Sequence, residues 1–120
     1  MKNIILFFAA FTYLSGYSQN FTYYKAISNG TSIKTEGEVL ISDTLISIYT
    51  DGVPASFKVE KTLETEEVNQ YKLIDQTNAS MRFTLTNPAT PSRKKPITLL
   101  IQTVDSFTFE TTDLVYYLTK

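Results

Sequence analysis

Chemistry in this chain would have to come from carboxylates, amines and hydroxyls, because it contains no histidine and no cysteine. A nucleophilic hydroxyl needs a base beside it, and histidine is the usual one. The remaining pairing is serine with lysine. Ser92 lies near Lys94 and Lys95, but Pro91 and Pro96 bracket that segment. A solvated loop leaves a lysine at its ordinary high pKa. Glycoside hydrolysis needs two carboxylates at a set separation across a cleft. Glu64, Glu66 and Glu67 instead crowd one short polar stretch that reads as a solvated turn. The usual zinc, copper and iron sites draw on His and Cys. Calcium needs several oxygen ligands at close spacing, whereas Asp43 and Asp51–Gly52 are explained as turn residues. The chain is therefore expected not to be an enzyme and to use no metal or cofactor.

Recognition is better supplied. The run Arg93–Lys94–Lys95 could dock an anionic partner, although three charges more often make a solvated loop tip. Tyr23–Tyr24 and Tyr116–Tyr117 are adjacent pairs. Neighbours in a strand point to opposite faces, so each pair sends one ring outward if the other goes inward. Tyrosine suits contacts because it joins large area to a polar tip. Other stretches are apolar on both faces: Val39–Leu40–Ile41, Ile48–Tyr49 and Leu99–Leu100–Ile101 among them. Either a second element covers them or they meet a partner. The expected contact residues are Tyr24, Tyr49, Tyr117 and Leu100, with Arg93, Lys94 and Lys95. The partner is expected to be a protein or an envelope component. Net charge is −1, which gives no electrostatic case for nucleic acid.

These side chains must be positioned by strands. Residues 1–18 read as an export signal: Lys2 supplies the charge, 4–11 an apolar run too short for a stable anchor, and Gly16 and Ser18 the small residues for cleavage. Residues 19–120 are then a single exported β domain, periplasmic or secreted. No second long apolar segment follows, so the mature part is not expected to span a membrane by a helix. Without cysteine, no disulfide supports it.

From Phe21 onward, apolar and polar residues alternate with period two. Asn29–Gly30 and Asp51–Gly52 are hairpin turns, since these residue types tolerate positive φ. Strands are expected at 21–28, 31–36, 38–42, 44–50, 55–60, 68–75, 79–86, 97–103, 106–111 and 114–119. Turns are expected at 76–78, near 104–105 and near 112–113. Residues 61–68 suit a short helical turn or a polar hairpin loop equally. Residues 87–96 hold three prolines and must be a loop. The fold class is all-β, an antiparallel meander of about eight or nine strands, closed as a small barrel or stacked as a sandwich.

The candidate inward residues are bulky: Tyr23, Ile46, Ile48, Phe57, Val59, Tyr71, Leu73, Met81, Phe83, Leu85, Leu99, Ile101, Phe107 and Phe109. An eight-stranded barrel is only just wide enough for its own side chains, so a filled interior is expected. The signal, ending in Tyr17–Ser18–Gln19, resembles those of Bacteroidota envelope and secreted proteins. The mature part is similar to the small exported β proteins of that group. Hairpin-linked strands behind an export signal also resemble a compact lipocalin-type barrel, without the Gly-x-Trp signature of that family. That resemblance implies an alternative function, the binding of an apolar ligand inside the barrel.

Overall fold

Period-two alternation and short turns produce one antiparallel sheet that closes on itself. The computed structural model describes residues 19–74 and 79–120. The expected signal, residues 1–18, and the expected turn at 76–78 lie outside the described residues. The strands are β1 (Gln19–Ser28), β2 (Thr31–Ile33), β3 (Gly37–Ile41), β4 (Leu45–Thr50), β5 (Val53–Glu64), β6 (Val68–Leu73), β7 (Ala79–Thr86), β8 (Ile97–Asp105) and β9 (Thr111–Thr119). Each of β3 to β8 pairs with the next, β1 pairs with β3, and β9 returns to β1. Eight strands thus form a closed meander barrel, with β2 as a ninth, short strand. Closure removes the free edges that an open sheet would have to protect.

β2 and β3 are two parts of one return leg. Ser28 pairs with Thr31 and Ala26 with Ile33, and then Tyr23 pairs with Gly37 and Gln19 with Ile41. The break at 34–36 separates them. On its other edge β1 carries a bulge, where Tyr23 faces Leu118 and Lys25 faces Tyr117. Tyr24 is the extra residue. The bulge resets the alternation, so Tyr23 and Ala26 are both buried although three positions apart.

Asn29 and Gly30, and Asp51 and Gly52, all have positive φ, as their turns require. Residues 61–68 resolve as a hairpin. Thr65 Oγ1 accepts the Val68 amide at 2.9 Å and donates to the Val68 carbonyl at 2.9 Å. The described residues contain no helix, so none is long and apolar enough to cross a membrane.

The expectations near the C-terminus need correction. β8 continues through Asp105, residues 106–110 are a turn rather than a strand, and 112–113 belong to β9 rather than to a turn, paired with Thr103 and Gln102. Phe107 and Phe109 therefore do not face inward; they are 76% and 75% exposed. Asp105 is the physical reason. Its carboxylate accepts the amides of Phe107 at 2.8 Å and Thr108 at 3.0 Å, and its carbonyl accepts the Phe109 amide at 2.9 Å. These bonds coil the chain before a strand can form.

The remaining inward residues build the core. Phe21, Val39, Ile41, Ile46, Val59, Tyr71, Phe83, Leu85 and Leu99 are almost inaccessible. Phe57 and Phe83 lie tilted at 5.3 Å between ring centroids, and Tyr23 and Tyr116 at 4.7 Å. Outward positions in mid-strand carry Lys58, Glu60, Lys72 and Arg82, all exposed. The outward positions of β5, β6 and β7 are thus charged in mid-strand, while the interior is apolar.

Candidate functional site

The inward side chains shrink toward one end of the barrel. Going toward that end, β8 presents Ile97, Leu99, Ile101 and then Thr103. β9, read backward, presents Leu118, Tyr116, Leu114 and then Thr112. β4 ends its inward series on Thr50, and β5 begins its own on Val53, opposite Thr50, followed by Ala55, opposite Ile48. Small residues at the rim leave space that the large ones fill lower down. The result is an apolar cup of about 380 Å³, lined by Ile48, Phe57, Met81, Ile101, Leu114 and Tyr116 beneath Thr50, Ala55, Thr103 and Thr112. The filled interior expected from bulk alone therefore holds for the lower barrel and fails at this end. Burial holds the Tyr116 hydroxyl above its usual pKa, with a smaller contribution from Tyr23.

Tyr23 shapes the wall beside the cup. Its hydroxyl donates to the Tyr49 carbonyl at 3.0 Å and lies 2.7 Å from Thr50 Oγ1. To reach β4 it must pass over β3 at its register partner, Gly37. A Cβ on Gly37 would overlap the Tyr49 carbonyl and stand 2.5 Å from the Tyr23 hydroxyl. Glycine is required there for close approach rather than for an unusual φ.

A charged residue stands at the opposite end. Lys61 occupies an inward position, paired in register with Tyr71. Its ammonium lies 2.8 Å from Asp43 and 3.3 Å from Glu64. The hydrogen bond it donates to Asp43 is the main reason its pKa is raised. Burial holds the Tyr71 hydroxyl above its usual range, partly offset by Lys61. A charged group at the barrel end is thus held by Asp43 of the β3–β4 turn and Glu64 at the end of β5.

The residues expected to make contacts lie outside the barrel, as a dispersed set. Tyr24 and Tyr117 meet at 6.4 Å between centroids, and the Lys25 ammonium sits 5.0 Å from the Tyr117 ring. Leu100 lies in the neighbouring row, in register with Val115, which pairs with Ile27. All three are half-buried. Arg93 joins Tyr24 in an outer groove of about 580 Å³ that also includes Lys120. Lys94 and Lys95 are exposed on the same loop, where the Ser92 and Lys95 backbones bond to each other at 3.0 and 3.1 Å. Tyr49 is separated from the other tyrosines. It projects from β4 beside Glu38, with β3 between it and β1. Tyr24, Tyr117, Leu100 and Arg93 thus share one region, and Tyr49 does not.

Among the described residues, no group of three or more His, Cys, Asp or Glu is placed to hold a metal ion. The chain matches no family model, no curated protein and no solved structure.

Ile48, Phe57, Met81 and Ile101 belong to the inward set expected from the sequence, but the small rim residues do not, because inward positions weighed by bulk alone leave them out. Sorting them by barrel end reveals the signal. Thr50, Ala55, Thr103 and Thr112 are small inward residues close to turns, and all lie at the same end.

Proposed function

We propose that this chain is an exported, non-enzymatic barrel that binds an apolar ligand, or the apolar tail of an envelope amphiphile, in the open cup. The observation that carries this reading is the cup itself. It is a concave apolar space with three threonine hydroxyls at its lip, the pattern expected of a small-molecule site. Its volume of about 380 Å³ suits one short chain or one ring system rather than a bulky ligand. The hydroxyls can orient a polar head, but they are no match for an acid–base pair. Localisation to the periplasm or the exterior belongs to the same proposal and rests on the composition of residues 1–18.

Titration with a medium-chain fatty acid below its critical micelle concentration tests the reading. Methyl chemical shifts of Ile48, Met81, Ile101 and Leu114 should move together, while those of Ile41 and Leu85 in the filled half stay in place. Uniform or absent shifts would refute it.

A second reading is favoured by the outer groove. Tyr24 and Arg93 could receive an anionic protein or envelope group there. Crosslinking from Tyr24 and loss of capture in Arg93→Ala would support it.

A further inference from the structure

Five exposed apolar side chains lie at the cup's end of the barrel: Ile33, Val53, Ile74, Phe107 and Phe109. Two of them are unusual. Phe107 and Phe109 crown the β8–β9 hairpin, which supplies Ile101, Thr103, Thr112 and Leu114 to the cup. The turn is held by the three bonds to Asp105 and by the Asp105 amide on the Glu110 carbonyl at 2.9 Å. Thr108 and Phe107 amides also keep the Asp105 carboxyl below its usual pKa. Phe109 has φ of 61°, a left-handed conformation that glycine or asparagine adopts easily and a bulky aromatic does not. No core contact compensates, because the ring is 75% exposed. Strain in an exposed aromatic is a reason to look for function.

We infer that this aromatic turn inserts into a lipid surface, so that the cup opens against the acyl phase from which its ligand comes. The inference rests on the cup reading above. Charge selects the kind of surface. From 104 to 119 the chain has no Lys or Arg, while Asp105, Glu110 and Asp113 are acidic. Attraction to anionic headgroups therefore cannot drive docking. Insertion of two rings into a zwitterionic or neutral surface can, and the exposed Val53, which lines the cup, extends the same apolar rim. A bilayer supplies both the medium for the rings and the ligand for the cup, whereas a rigid protein partner would close the cup without filling it.

The chain has no tryptophan, so Phe107→Trp provides a single reporter. With phosphatidylcholine vesicles its emission should shift to the blue and be quenched by brominated acyl chains. Adding Phe109→Ser should weaken partitioning about tenfold or more, the lower range for burying one such ring. Added salt should change partitioning little, and anionic lipid should reduce it. Emission that remains that of exposed indole at millimolar lipid would overturn the inference. So would a blue shift that grows with protein concentration without lipid, which would assign the rings to a contact between copies. Ala55→Phe, which obstructs the cup and leaves the turn untouched, should abolish fatty-acid uptake and leave vesicle binding in place. Vesicle binding without fatty-acid uptake by the unsubstituted protein would sink the cup and keep the docking turn. Uptake of monomeric fatty acid without vesicle binding would do the reverse.

Discussion

Replacing an aromatic residue with glycine usually weakens a protein, yet Phe109→Gly should strengthen this one. Phe109 holds φ at 61° and leaves 75% of its surface in water. An L-residue in the left-handed region costs about 1–2 kcal/mol relative to glycine. Glycine returns about 0.5–1 kcal/mol of that through the greater freedom of the unfolded chain. The hydrogen bond from the residue 109 amide to the Asp105 carbonyl survives either way, because it belongs to the backbone. Little packing is lost with so exposed a ring. The balance is a gain of roughly 0.5–1 kcal/mol, which for a domain near this size raises Tm by about 2–8 °C.

Thermal unfolding followed by far-UV circular dichroism, with urea titration at unchanged slope, measures the effect directly. Phe109→Asn should also raise Tm, since asparagine tolerates the same conformation. Phe107→Ser should stay within about 0.5 kcal/mol of the parent, as befits an exposed site. If both Phe109 substitutions lower Tm, the ring is making native contacts and the strain reasoning is wrong. If both raise Tm while vesicle partitioning falls, stability has been given up at this turn for binding.

Three further outcomes follow from the barrel. Gly37→Ala should cost about 2–4 kcal/mol, because the added Cβ meets the backbone of β4 and the Tyr23 hydroxyl together; Tyr23→Phe should cost about 1–2 kcal/mol through its lost hydrogen bonds, and urea titration checks both. Ala55→Phe should keep the fold and abolish fatty-acid shifts, since Ala55 borders the open cup; a folded variant with unchanged shifts would place the ligand elsewhere. Alkali should destabilise the protein from about pH 10 upward. The pKa values of Lys61, Tyr71 and Tyr116 are all raised in the fold. Above pH 10 the unfolded chain therefore gives up protons that the native state keeps, and stability falls as pH rises through the folded values. Urea midpoints flat from pH 8 to pH 12 would contradict this.

What the sequence made legible was local. Asn29–Gly30 and Asp51–Gly52 act within a few residues, and their positive φ follows from residue type alone. Alternation in 79–86 maps directly onto Met81, Phe83 and Leu85 facing inward, because one face of that strand is polar throughout. Barrel closure was not legible. It depends on pairing β1 with β9, from opposite ends of the chain, and on a bulge at Tyr24 that shifts β1 by one residue. No local pattern encodes either. The phenylalanines failed for a different reason. Phe107 and Phe109 have the spacing of a buried strand, and spacing alone cannot distinguish a core from a tip. Asp105 decides between them, since one carboxylate capturing two amides ends the strand before the rings can turn inward. The same capture leaves both rings beside the cup, so the step that defeated the strand reading also produced the surface on which the docking proposal stands. An aromatic pattern that follows an Asp–Ser pair should therefore be tested as a presented tip before it is counted as core.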